Sequence, residues 1–229
     1  RRTASDMRIP RIPRILKWST LLVTCAWLAG CATAPGKDYS AYRAAKPASI
    51  LVLPPVNDAP EVQASASVLS QATLPLAEAG YYVLPVTLVS ETFRQNGLEI
   101  AGDIHEVAPA KLQEIFGADA ALYLRVTRYG TTYQVIQSAT VVSVEARLVD
   151  LRTGTQLWDG RASASNQEGG NNSGGGLVGM LVTALVNQIV NSATDAAHPM
   201  AGVATNRLLA AGTPNGLLYG PRSPLYGKN

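Results

Sequence analysis

The chain has 229 residues, 47% of them apolar, which excludes wholesale disorder and leaves room for one substantial domain. Charged residues make up only 15%, and the formal net charge of +3 at first points to nucleic acid or an anionic membrane. Two cysteines and two histidines exclude a disulfide scaffold and a multi-ligand Cys/His zinc site.

The basic residues crowd the front: Arg1, Arg2, Arg8, Arg11, Arg14 and Lys17 precede Trp18, with Asp6 the only acid among them. The apolar run Trp18 to Gly30 is 13 residues long, short of the roughly 20 that cross a bilayer as a helix. A basic segment, a short apolar segment and closing small residues predict a secretory signal peptide over residues 1–30, with Met7 as the expected start and residues 1–6 an over-extended reading frame. Leu28-Ala29-Gly30-Cys31 resembles the bacterial lipobox. That resemblance implies cleavage by signal peptidase II between Gly30 and Cys31, a diacylglycerol on the Cys31 thiol and an N-acyl chain on its freed amine, with no other cofactor. Ala32 in the sorting position implies the outer membrane. Cys25 leaves with the leader, so the expected mature domain has no disulfide. The leader also removes 6 of 19 basic residues and 1 of 16 acidic ones, leaving 13 against 15 and a net of −2. The case for nucleic acid goes with it.

Residues 31–47 read as anchor and tether, since Ala32 to Pro47 shows no sustained period. Ser49 to Leu53, stopped by Pro54-Pro55, predicts a buried central strand. Val62, Ala66, Leu69, Thr73, Leu76 and Ala77 recur at helical spacing up to Gly80, with a kink expected at Pro75. Tyr81 to Pro85 predicts a second strand, Val86 to Gln95 a helix ending at Asn96-Gly97, and Pro109 to Phe116 a helix stopped by Gly117. Three longer strands follow, Ala120–Tyr129, Tyr133–Asp150 and Thr155–Ser165, with a hairpin at Gly130-Thr131-Thr132 and a turn at Asp150–Gly154. Residues 166–176 form a Gly-rich loop, Leu177–Ala197 an apolar helix broken before Pro199, and Val203–Ala211 a shorter helix ahead of an irregular tail over 213–229. The order predicts a single α/β (α+β) domain over 48–212. Its mixed sheet of about five strands is flanked by helices, with an antiparallel meander in the second half.

Ile50-Leu51-Val52-Leu53-Pro54-Pro55 and the later run Leu148 to Trp158, with its Asp150-x-x-x-Gly154 turn, resemble the shared fold of several envelope lipoproteins. Those are the curli-secretion lipoprotein CsgG, the penicillin-binding-protein activators of the LpoB type and the TolB N-terminal domain. The same runs resemble a small outer-membrane lipoprotein family of unknown function that includes a genome-derived Neisseria antigen. The resemblance implies a TolB-like or CsgG-like fold. It also implies a periplasm-facing binding or assembly role accessory to secretion or cell-surface construction, with companion lipoproteins or a CsgG-like pore as partners. The alternative it implies is activation of a cell-wall synthase.

Chemistry is sparse. His105 and His198 have no companion at ligand spacing and read as isolated surface histidines, so no metal site is expected. Gly174-Gly175-Gly176 is followed by Leu177-Val178 without a lysine, unlike a P-loop. There is no Gly-x-Ser-x-Gly elbow, and Glu91, Glu99, Asp103 and Glu106 fall on a helix end and a polar loop, where solvated charge is expected. The expectation is a non-enzymatic protein with no catalytic residues; an envelope hydrolase using a carboxylate pair is the alternative from another class. Leu177, Leu181, Leu185 and Ile189 form one stripe of the 177–197 helix, opposite a narrow uncharged face of Gly179, Thr183, Asn187 and Asn191. That helix is either core or a docking surface for another envelope protein or a second copy, and its lack of Lys and Arg favours protein over lipid.

Overall fold

Ile50, Leu51 and Val52 are apolar without alternation, and they form an interior strand buried on both faces, β1 (Ser49–Val52). The computed structural model describes residues 36–133, 138–168 and 195–228. Prolines 54 and 55 end β1 because neither can donate to a ladder, and the chain resumes pairing as β2 (Val56–Asn57) further along the same neighbour. That neighbour is β4 (Ala120–Tyr133), which takes β1 against Ala120–Leu122 and β2 against Arg125–Val126, both parallel. The edge strand β3 (Tyr82–Val83) lies parallel to β1 on its other side. Antiparallel β5 (Ser138–Asp150) and β6 (Gln156–Ser165) complete a six-stranded mixed sheet. The predicted fold class and the antiparallel second half hold.

The hairpin does not sit where the sequence placed it. Gly130 pairs with Val141 inside the ladder, and β4 continues to Tyr133. Glycine suits this point because its φ is +119° and a Cβ would lie 2.4 Å from a Glu61 carboxylate oxygen. A bulge at Thr127, between Val126 and Arg128, resets the alternation so that Tyr129 keeps facing the core.

One face of the sheet is covered by α1 (Ser40–Ala45), α2 (Ala64–Glu78) and α6 (Ala197–Leu209). Ala64, Ala72, Ala201 and Ala204 bring these helices close over Val52, Leu122, Leu124 and Leu148, all buried. The presence of α1 corrects the tether, which was expected to run to Pro47. Tyr42 is only 2% exposed and the compact unit begins at Asp38. Nor does Pro199 break a helix. It occupies the first turn of α6, where its missing N–H is not needed.

The second face carries α3 (Val86–Gln95), α4 (Ala101–His105) and α5 (Pro109–Phe116), whose Val89, Phe93, Ile104 and Leu112 pack on Leu51, Leu53, Ala121 and Val149. The polar loop expected around His105 is therefore the short helix α4. This cover reaches only as far as Tyr123 and Val149.

The described part of the C-terminal tail forms no helix or strand of its own, but it is fastened down. Trp158 Nε1 donates to the Asn215 carbonyl at 2.9 Å and Tyr39 to that of Gly216 at 2.6 Å. Tyr42 donates to the Tyr81 hydroxyl at 2.7 Å, and Tyr81 donates to the Leu218 carbonyl at 2.6 Å. Gly220 and Arg222 amides bond Ala79 and Gly80 carbonyls. Gly80 has φ +95°, and a Cβ there would lie 2.4 Å from the Ser223 nitrogen. Gly80→Ala is expected to cost about 2–3 kcal/mol, by strain and by lifting the tail, in a denaturant titration.

The turn after β5 hangs on Asp150. Burial raises its pKa, but the Arg152 side chain and the Thr153 and Arg152 amides outweigh it and hold the carboxyl below its usual 3.8. Its contribution is therefore complete above the unfolded value near 3.8 and is lost as pH falls through the lower folded one. Asp150→Asn should reduce stability at pH 7 by about 1–3 kcal/mol and flatten the acid limb of the pH–stability curve.

Candidate binding face

Past the edge of α3–α5, no described helix packs on one face of the meander formed by β4, β5 and β6. Alternation puts Arg125, Glu145 and Arg161 in one row across the three strands, and Tyr123, Arg147 and Asp159 in the row beside it. After the bulge, Arg128, Ser143 and Ser163 form the next row. All four arginines and both acids are exposed. Arg125 Nη1 donates to both oxygens of Asp58 at 2.9 Å. Arg128, Arg147 and Arg161 make no ion pair among the described residues. The Arg147 guanidinium lies 4.3 Å above the Tyr123 ring, and the His105 ring meets that ring edge-on at 5.2 Å. His105 Nε2 donates to the Pro54 carbonyl at 3.0 Å, and burial, assisted by Arg147 and Arg125, pushes the imidazole below its ordinary pKa.

His198 is not isolated either, which corrects the expectation for both histidines. Its Nδ1 is 2.7 Å from Ser67 Oγ on α2, 131 residues away, and its Nε2 is 3.1 Å from Gln71 Nε2. Asp195 accepts from Tyr129 at 2.7 Å and from the Ala197 amide at 3.0 Å. This is not a nucleophile with its base. Ser67 is only 6% exposed inside a helix, and the Asp195 carboxylate is committed elsewhere. The contacts pin α6 to α2 and to β4.

Glu91 bonds Arg94 and Gln95 on the surface of α3, and the Arg94 hydrogen bond holds its carboxyl down at about 2. Among the described residues no group of three or more His, Cys, Asp or Glu is placed to hold a metal. A groove of about 430 Å³ opens beside the β3 edge, lined by Tyr82, Leu84, Leu88 and Phe116. Gly30, Cys31, Leu177, Leu181, Leu185 and Ile189 lie outside the described residues. No described helix is long and apolar enough to cross a membrane.

The family model described as Putative lipoprotein GNA1162-like matches residues 37–222. A curated relative, Putative lipoprotein NMB1124/NMB1162 of Neisseria meningitidis serogroup B, is 54% identical over 189 residues, or 82% of this chain and 87% of that protein. The crystal structure of lipoprotein GNA1162 from Neisseria meningitidis is similar with a TM-score of 0.52 at 57% identity, covering 64% of this chain and 100% of that one. The LpoB C-terminal domain from Escherichia coli gives 0.38 at 18% identity, over 52% of this chain and 83% of its own.

Proposed function

Since the chain belongs to the GNA1162-like lipoprotein family, we propose that it is a non-enzymatic binding and assembly module of the outer membrane, facing the periplasm and accessory to secretion or cell-surface construction. Membership in a lipoprotein family carries association with an envelope membrane; the leaflet, the face and the role are our reading. Cys31 supplies the acyl anchor.

The observation that supports binding is the face of β4–β6 that the described helices leave bare. Every described helix packs on the opposite face or on the parallel half of the sheet, and three arginines on the bare face have no carboxylate partner among the described residues. A protein partner or companion lipoprotein meeting this face would complete those charges. The stripe of Leu177, Leu181, Leu185 and Ile189 is proposed as a second contact, for a CsgG-like pore or another copy.

A photo-crosslinking residue placed at Ser143 or Ser163 in the intact envelope tests this. Discrete adducts are expected from both positions and none from Glu114 on the far side of α5. Equal labelling from all three, or none, rules the reading out. Capture of a cell-wall synthase would favour the activator alternative. Leu181→Ser with Leu185→Ser is expected to remove adducts while leaving the melting temperature within about 2 °C; a large fall in melting temperature would return that helix to the core.

A further inference from the structure

We propose that the rim of the bare face holds a phosphate-binding site formed by Arg147, Arg125 and the Tyr123 hydroxyl. This deepens the reading of that face as a binding surface by naming the chemistry it takes.

Three observations converge. First, Arg147 is pre-set. Its guanidinium carbon lies 4.3 Å over the Tyr123 ring, a cation–π contact that holds the head group against the sheet, and it has no ion pair among the described residues. A guanidinium held in this way loses less freedom on gripping an oxyanion than a free one, and its planar fork matches two oxygens at once. Second, Arg125 lies two residues from Tyr123 on the same strand and face, a spacing of about 7 Å. Asp58 grips it through Nη1 alone, so Nε and Nη2 are held in place with their hydrogens free of that contact. Third, the Tyr123 ring is buried, while its hydroxyl makes no hydrogen bond with any described residue. Two guanidinium edges and one hydroxyl donor at one rim match a group with several oxygens on one centre.

The surroundings set the limits. His105 forms the wall beside Tyr123, but its Nε2 hydrogen is committed to the Pro54 carbonyl. Glu106 borders His105, Glu145 stands opposite Arg125, and Asp159 opposite Arg147. These acids oppose an anion, but Arg161 and Arg128 lie in the same row as Glu145 and in the next row. The face thus carries four arginines against Asp58, Glu106, Glu145 and Asp159, an even balance on a chain whose residues 31–229 sum to −2. Phosphate has two sources in an envelope, the free ion and a lipid headgroup, and the donor set is the same for both.

The test uses the full lipidated chain in uncharged maltoside micelles, reading the arginine Nε–Hε resonances by NMR. One arm titrates inorganic phosphate and the other titrates phosphatidylglycerol into the micelles. Saturable shifts of Arg147 and Arg125 are expected, in the first arm for a free-phosphate site or only in the second for a headgroup site. Arg147→Ala should weaken the response at least tenfold, and Arg147→Lys nearly as much, because an ammonium has no planar fork. Tyr123→Phe keeps the ring beneath the guanidinium and should weaken it a few-fold. Asp58→Asn releases Arg125 and should tighten it a few-fold. Arg94→Ala, on α3, should leave it unchanged. Absence of shifts in both arms overturns the site, as does an equal loss from Arg94→Ala. An amide spectrum like the parent's confirms that each variant is folded. Failure here leaves the cross-linking result standing, since that experiment reads protein contact and not anion chemistry.

Discussion

Trp158→Ala is expected to lower the free energy of unfolding by about 4 kcal/mol, a larger loss than either Gly80→Ala or Asp150→Asn should cause. Two effects add. The indole is 4% exposed and sits in the larger core beneath α6, so its removal leaves a cavity that rigid neighbours cannot fill. Its Nε1 also holds the Asn215 carbonyl, and losing that donor weakens the first fastening of the tail at a cost of about 1 kcal/mol. Gly160 shows how closely the ring fits, because a Cβ there would come within 2.4 Å of it. Trp158→Phe keeps most of the volume and loses the donor, so its cost should be about 1–2 kcal/mol. Urea denaturation measures both, and protease cleavage within residues 213–228 should rise in the alanine variant before global unfolding. A loss below about 1.5 kcal/mol for alanine would mean that the tail is not held through this ring.

Cys31→Ala is expected to abolish incorporation of labelled palmitate and to move the protein from the membrane fraction to the soluble one. Each buried methylene contributes about 0.8 kcal/mol, so two or three acyl chains hold far more firmly than one. The change is therefore close to all-or-none, whereas loss of a surface contact would merely shift the partition. The melting temperature should not move, because the compact unit starts at Asp38. Retention of label or of membrane association would place the anchor elsewhere.

Elements whose signal was periodic were legible in the sequence. Val86–Gln95 and Pro109–Phe116 end where Asn96-Gly97 and Gly117 place them, since these residues close helices locally. The misses share one cause: tertiary contacts overrode local chemistry. The segment Ser40–Ala45 has a linker's composition, and it is ordered by Tyr42 entering the core and Tyr39 reaching a carbonyl 177 residues away. Gly130 reads as a turn but lies mid-strand against Glu61. Glu145 and Arg147 alternate with apolar Val144, Ala146 and Leu148, a pattern that marks one wetter face on β5. Which rows the described helices leave bare depends on where α3–α5 stop, and no local pattern carries that. Ser67 and His198 are likewise brought together only by packing of α2 on α6.

The early start of the folded unit, at Asp38, sets a leash length. On the proposed anchor only seven peptide steps separate the acylated residue from the domain, at most about 25 Å of extended chain at roughly 3.5 Å per step. A spacer running to Pro47 would have given more than twice that radius. On that anchor the domain would sample a thin shell next to the bilayer, where a partner would have to meet it. Lengthening the leash by ten flexible residues should weaken engagement of a membrane-embedded partner by diluting the local concentration, without changing a single contact.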